Sequence, residues 1–144
     1  MLPVDLLSRV HFVGHVDDAT RDKLLHAAHC VVFPSRYESF GLVPLESFVH
    51  SVPVVAARAG AIPEVVAEDE CGLLFKAGDA ADLARQVERL LLEPGLRERL
   101  SAGAYRQIRR FGSRKSAQRA VALYRTLKAP PSPSAVDALV VEST

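Results

Sequence analysis

Six apolar residues in unbroken succession, "VPVVAA" at 52–57, stand between two segments of helical periodicity. A continuous run of this kind is what a parallel strand covered on both faces requires. Three other short runs repeat the signal: "RVHFVG" (9–14), "CVVFPS" (30–35) and "CGLLFK" (71–76). Gly14 and Pro34 supply stops for the first two of these. Between the runs the pattern turns helical. "DDATRDKLLHAAHC" has a cap at Asp17 or Asp18 and places Leu24, Leu25, Ala27 and Ala28 at helical spacing. "GLVPLESFVHS" reads as a helix with Pro44 in its first turn, where amides lack intrahelical partners in any case. "AIPEVV" makes a short helix, and "DAADLARQVERLLLEP" an amphipathic one with Leu83, Val87, Leu90 and Leu91 on one stripe. Two further helices are predicted over about 95–110 and 114–128. Strand–helix alternation means an α/β fold, with a Rossmann-like parallel sheet of about four strands flanked by helices.

The 144 residues suit one domain, assigned to 1–128, and the Pro- and Ser-rich end, 129–144, reads as a disordered tail. No apolar stretch is long enough to span a bilayer, and "MLPVDLLSRV" lacks the basic segment and longer apolar core of a signal peptide. Cys30 and Cys71 lie far apart without CxxC spacing, as reduced thiols in a cytoplasmic protein do.

Net charge is only +1, yet ten of the eighteen Lys and Arg fall within 97–128, beside a single acidic residue, Glu98. Taken alone, such a stretch reads as a solvated helix face. Aromatic interleaving and nucleic-acid motifs are lacking, so no nucleic-acid partner is expected.

In a parallel sheet, ligands bind beyond the carboxyl ends of the strands, where loops lead into helix N-termini. "PSRYESFG" (34–41) holds such a position, and amides around Phe40–Val43 face whatever sits there. Glu38 lies on this loop, and Glu46 about one turn along the following helix. Taken alone, the two are either solvated surface carboxylates or a pair accepting hydrogen bonds from a hydroxyl-rich, phosphate-bearing ligand such as a nucleotide-sugar. His50, four residues after Glu46, is a poor metal ligand without further ligands, and His15 is an ordinary loop histidine. Glu64 suits the start of a helix, where the dipole favours a carboxylate, or an approach to sugar or diphosphate.

The ordered blocks "GHVDDATRDKLLHAAHCVVFPSRYESFGLVPLES", "PVVAARAGAIPEVV" and "CGLLF" resemble the C-terminal domain of retaining family 4 glycosyltransferases of the GT-B fold. "ESFGLVPLE" is similar to that family's paired-glutamate motif, and the resemblance runs over about 9–128. It implies that Glu38 accepts hydrogen bonds from the donor sugar, and that the amides of Phe40, Gly41 and Leu42 hold sugar and diphosphate. Glu46 would bind the ribose, and Val16 and Asp18 would line the nucleobase. The resemblance implies a nucleoside-diphosphate-sugar donor, usually without a metal and with no other cofactor. For the basic stretch 97–128 it implies a docking face for a partner domain or a peripheral contact with the inner face of an anionic membrane.

The resemblance also defines departures. It implies an N-terminal domain, bearing the acceptor site and catalytic partner residues, and two more strand–helix units with a Gly-Arg and Lys-Gly diphosphate grip. Nothing here matches them. No catalytic residue is therefore expected within the chain, and the isolated chain is expected to be inactive. The alternatives are a non-catalytic remnant, a subunit completed by a separately encoded half, or a fragment of a sugar-nucleotide epimerase. "RVHFVG" would lack its neighbouring strand, so a weakened sheet of three or four strands is expected. Ser51 stands where the family usually ends a helix with glycine, and Ala61 where a second glycine often follows Gly60.

Overall fold

A computed structural model describes residues 6 and 8–128 of the chain. The predicted tail, 129–144, lies outside the described residues. The described part falls into two compact units divided between Ile108 and Arg109.

The first unit is built on three parallel strands, β1 (Val31–Phe33), β2 (Val54–Ala57) and β3 (Gly72–Phe75), in the order β1-β2-β3. Val31 pairs with Val54, and Val54 in turn with Gly72, so the register is continuous across the sheet. Every residue of β2 and β3 is buried, as their unbroken apolar runs require. Around them run α1 (Asp18–Ala27), α2 (Leu42–Val49), α3 (Ile62–Val65), α4 (Ala80–Leu92) and α5 (Leu96–Ile108). Each parallel strand pair is joined through a helix, α2 between β1 and β2 and α3 between β2 and β3.

One face of the sheet presents Val55, Ala57, Leu73 and Phe75 to Leu90 of α4 and to Leu96 and Leu100 of α5. Burying each of those leucines stabilises the fold by about 1.5–3 kcal/mol. The α4 stripe is narrower than its periodicity suggests. Leu83, Val87 and Leu90 pack on the core, whereas Leu91 is exposed. Two glycines allow backbone to approach backbone. A Cβ at Gly72 would lie 2.5 Å from the Val54 carbonyl oxygen, and one at Gly103 of α5 would collide with the carbonyl of Glu70. Gln107, also on α5, is buried and donates its side-chain amide to the Val65 carbonyl at 2.8 Å, satisfying the end of α3.

The predicted strand "RVHFVG" is not a strand. Residues 10–14 have no regular structure, and Phe12 is 86% exposed. An apolar run becomes a strand only where a neighbour completes its hydrogen-bond ladder, and among the described residues the segment 10–14 makes no such pairing with the open edge of β1. Three strands form among the described residues, within the three or four expected of this sheet. The first helix also differs from its reading: α1 has no buried residue, and Leu24 faces solvent. Asp17 is its cap, accepting from the Thr20 amide at 2.7 Å, and these bonds hold the Asp17 carboxyl below the usual range.

In the second unit, α6 (Ser113–Lys128) is an amphipathic helix without an acidic residue. Arg114, Lys115, Arg119 and Arg125 share one side by helical spacing, with Val121 between Arg114 and Arg125, and the exposed Leu123, Tyr124 and Leu127 lie toward the other.

Candidate functional site

Because β1 and β2 are parallel neighbours, the loops that leave their carboxyl ends emerge on the same edge of the sheet. The loop after β1 spans 34–41 and that after β2 spans 58–61. They are joined directly: the Ala61 amide donates to the Glu38 carbonyl at 3.0 Å. Gly60 makes this approach possible. Its φ is +52°, and a Cβ there would collide with the Glu38 carbonyl. Ala61, at the second expected glycine position, has an ordinary right-handed backbone and needs no glycine.

Within the first loop, Ser35 Oγ donates to the Tyr37 carbonyl at 2.7 Å. Glu38 Oε1 accepts the amides of Ser39 at 3.1 Å and Phe40 at 3.2 Å, so the carboxylate folds back onto its own loop. Gly41 then turns the chain with φ +93° and is itself buried, with Ile62 Cδ1 3.1 Å from where a Cβ would stand. Phe40 and Leu42 on either side of it are 49% and 64% exposed, so the bend faces solvent. The helix that begins here, α2, has no side-chain cap, whereas α1 and α4 are capped by Asp17 and Asp79. Its first-turn amides have no intrahelical acceptor and, among the described residues, no side-chain cap, which leaves partial positive charge at the bend.

Glu46 stands four residues into α2, half-buried, with Oε1 3.6 Å from Arg21 Nη1 on α1. The same nitrogen lies 3.2 Å from Asp18 Oδ1. The predicted ribose and nucleobase residues thus meet at one guanidinium. Val16 is half-buried in the loop just before. Glu38 takes a different station, held by its own amides at the loop. Sequence reasoning missed Arg21, whose one local signal is its i,i+3 spacing from Asp18; its reach to α2 depends on the fold.

His50 is accounted for structurally. Its Nε2 lies 3.4 Å from Asp22 Oδ1, and its ring meets His26 edge-on at 6.4 Å. His15 is exposed in its loop, and Glu64 is exposed in the first turn of the four-residue α3. Among the described residues no group of three or more His, Cys, Asp or Glu is placed to hold a metal ion. Cys30 and Cys71 are reduced, Cys71 Sγ lying 3.5 Å from the Ala67 carbonyl oxygen, and burial pushes the Cys30 thiol up.

The parallel three-stranded sheet flanked by helices matches solved glycosyltransferases of the GT-B class. The family model of glycosyl transferases group 1 matches residues 3–107, and the chain belongs to that family. A D-inositol 3-phosphate glycosyltransferase of Streptomyces bingchenggensis is 40% identical over 108 residues, 73% of this chain and 24% of that protein. A glycogen synthase of Mycobacterium tuberculosis is 35% identical over 103 residues, 72% of this chain and 25% of that protein. Among solved structures, sucrose-phosphate synthase of Thermosynechococcus elongatus superposes with a TM-score of 0.76 at 34% identity, over 87% of this chain and 32% of that one. Anabaena HepE, solved in complex with UDP, gives 0.76 at 27% identity, over 85% of this chain and 34% of that one. The chain spans about a quarter of the length of the curated relatives it matches.

Proposed function

We propose that this domain holds the nucleoside-diphosphate-sugar donor of a glycosyltransferase that retains anomeric configuration. The observation that carries the reading is the bend at Gly41. Its left-handed backbone exposes the start of an uncapped helix, where a diphosphate finds amide donors and a favourable dipole. Gly41 and Leu42 supply those donors. The Phe40 amide joins them once Glu38 Oε1 releases it, and the Glu38 carboxylate then accepts from sugar hydroxyls. Glu46 accepts from the ribose, and Val16 and Asp18 border the base. HepE, which shares this fold over part of its length, was solved in complex with UDP, and this supports a nucleotide ligand.

In this reading the chain provides donor contacts, while acceptor site and catalytic partner come from a complementary domain, so these residues alone bind donor without transferring it. Reduced thiols at Cys30 and Cys71 fit a reducing, cytoplasmic setting. A peripheral contact with an anionic membrane is a second element of the proposal. It rests on α6, which carries no acidic residue of its own, and among the described residues no helix is long and apolar enough to cross a membrane.

Calorimetry with uridine and guanosine diphosphate-sugars tests the donor reading. Binding that is lost in Glu46→Ala supports it. Absence of heat with every donor would reduce the chain to the remnant reading.

A further inference from the structure

Resting on that donor reading, we propose that Arg21 is the positioning residue of the nucleotide site, orienting the Glu46 carboxylate toward the ribose and tying it to the base-bordering residue Asp18.

The geometry starts from an unusual helix contact. No residue of α1 is fully buried, although Leu25 is half-buried and the His26 ring meets that of His50. Charged groups also make the connection: Arg21 Nη1 reaches both Asp18 Oδ1 at 3.2 Å and Glu46 Oε1 at 3.6 Å, and Arg21 Nη2 lies 3.8 Å from Asp22 Oδ1. Asp22 Oδ1 is in turn 3.4 Å from His50 Nε2 on the far end of α2. One guanidinium therefore serves three carboxylates on two helices. A planar fork can do this; a single ammonium cannot hold the same spread of directions.

The side chain keeps this pose at a cost. Arg21 Nε is buried and has no acceptor among the described residues. A buried donor left unpaired is unfavourable, so the pose is sustained by the charged partners on its other nitrogens. The consequence for Glu46 is directional. Oε1 is turned to Arg21, and a carboxylate has acceptor capacity on both oxygens, so Oε2 stays available to a pair of vicinal hydroxyls. Without Arg21 the Glu46 side chain would rotate freely, and ribose binding would have to order it.

The test is calorimetry on the full chain with UDP, GDP and ADP and with their 2′,3′-dideoxyribose counterparts. The parent chain is expected to prefer the ribose form of its nucleotide by about tenfold, the size of a charge-assisted hydrogen bond. Arg21→Gln is expected to erase most of that preference by weakening the ribose form alone. Arg21→Lys should fall between, and it keeps the proposal testable if the glutamine variant fails to fold. In a Glu46→Ala background, Arg21→Gln should change nothing further. A preference that survives both Arg21 variants but disappears in Glu46→Ala overturns this inference while the ribose reading stands. Equal weakening of both nucleotide forms by Arg21→Gln and Arg21→Lys also overturns it, as a general field effect. A parent chain that binds no nucleotide, or makes no ribose distinction, refutes the donor reading and this inference together.

Discussion

The Ala61 amide meets the Glu38 carbonyl at 3.0 Å, and this single bond fastens the loop after β2 to the loop after β1. It fixes the backbone of Glu38 from outside its own loop, while the amides of Ser39 and Phe40 hold its side chain from within. The candidate site is therefore a property of two adjacent strands rather than of one motif.

Gly60 guards that junction, so Gly60→Ala should be costly. A side chain there meets both the positive φ and the Glu38 carbonyl. Together these predict a loss of about 2–4 kcal/mol in urea unfolding. A change below about 0.5 kcal/mol, the range of an ordinary surface substitution, would contradict the described junction.

Ser51 offers the opposite experiment. It ends α2 with φ +58°, the left-handed conformation in which glycine usually serves. Ser51→Gly removes steric strain and adds some unfolded-state freedom, for a net stabilisation of about 0.5–1 kcal/mol. Thermal unfolding of the two chains side by side gives the sign.

Gln107→Leu tests the tie between α5 and α3. The glutamine is buried and donates to the Val65 carbonyl, which the variant leaves unpaired away from water. A destabilisation of about 1–3 kcal/mol is expected from chemical unfolding.

Acid should loosen the start of α4 through Asp82. Its carboxylate accepts the Lys76 amide at 2.7 Å, which, with smaller help from Arg85 and Gln86, holds its pKa below the ordinary value. A carboxyl depressed in the folded state stabilises fully above its unfolded pKa, and that stability is lost as pH falls through the folded one. The urea midpoint should thus drop below about pH 4, and Asp82→Asn should flatten that dependence. An identical acid profile in the variant would contradict the assignment.

Much of this architecture is legible along the chain, for identifiable reasons. "VPVVAA" and "CGLLFK" read as buried strands because their apolar runs need no partner-specific information, and both became strands at 54–57 and 72–75. "DAADLARQVERLLLEP" carries its own cap, Asp79, and its own periodicity. Ser51 is legible too, from its place in the resembled pattern, and adopts the expected left-handed turn. "RVHFVG" has the same local chemistry as a strand, but strand formation is decided by a neighbour that local sequence does not report. Leu91 was misplaced because the width of a buried stripe depends on what packs over it. Arg21 escaped notice because its decisive contact, Glu46, lies 25 residues away on another helix.

The central claim is that the bend at Gly41 and its neighbouring loop form a nucleotide site. Amide-resolved NMR of the chain during titration with UDP, GDP and ADP tests it most directly. The account predicts that one nucleotide shifts the amides of Gly41 and Leu42 most, with smaller changes at 58–61 and at the start of α1. Shifts confined to other parts of the molecule, or a spectrum indifferent to all three, would contradict it.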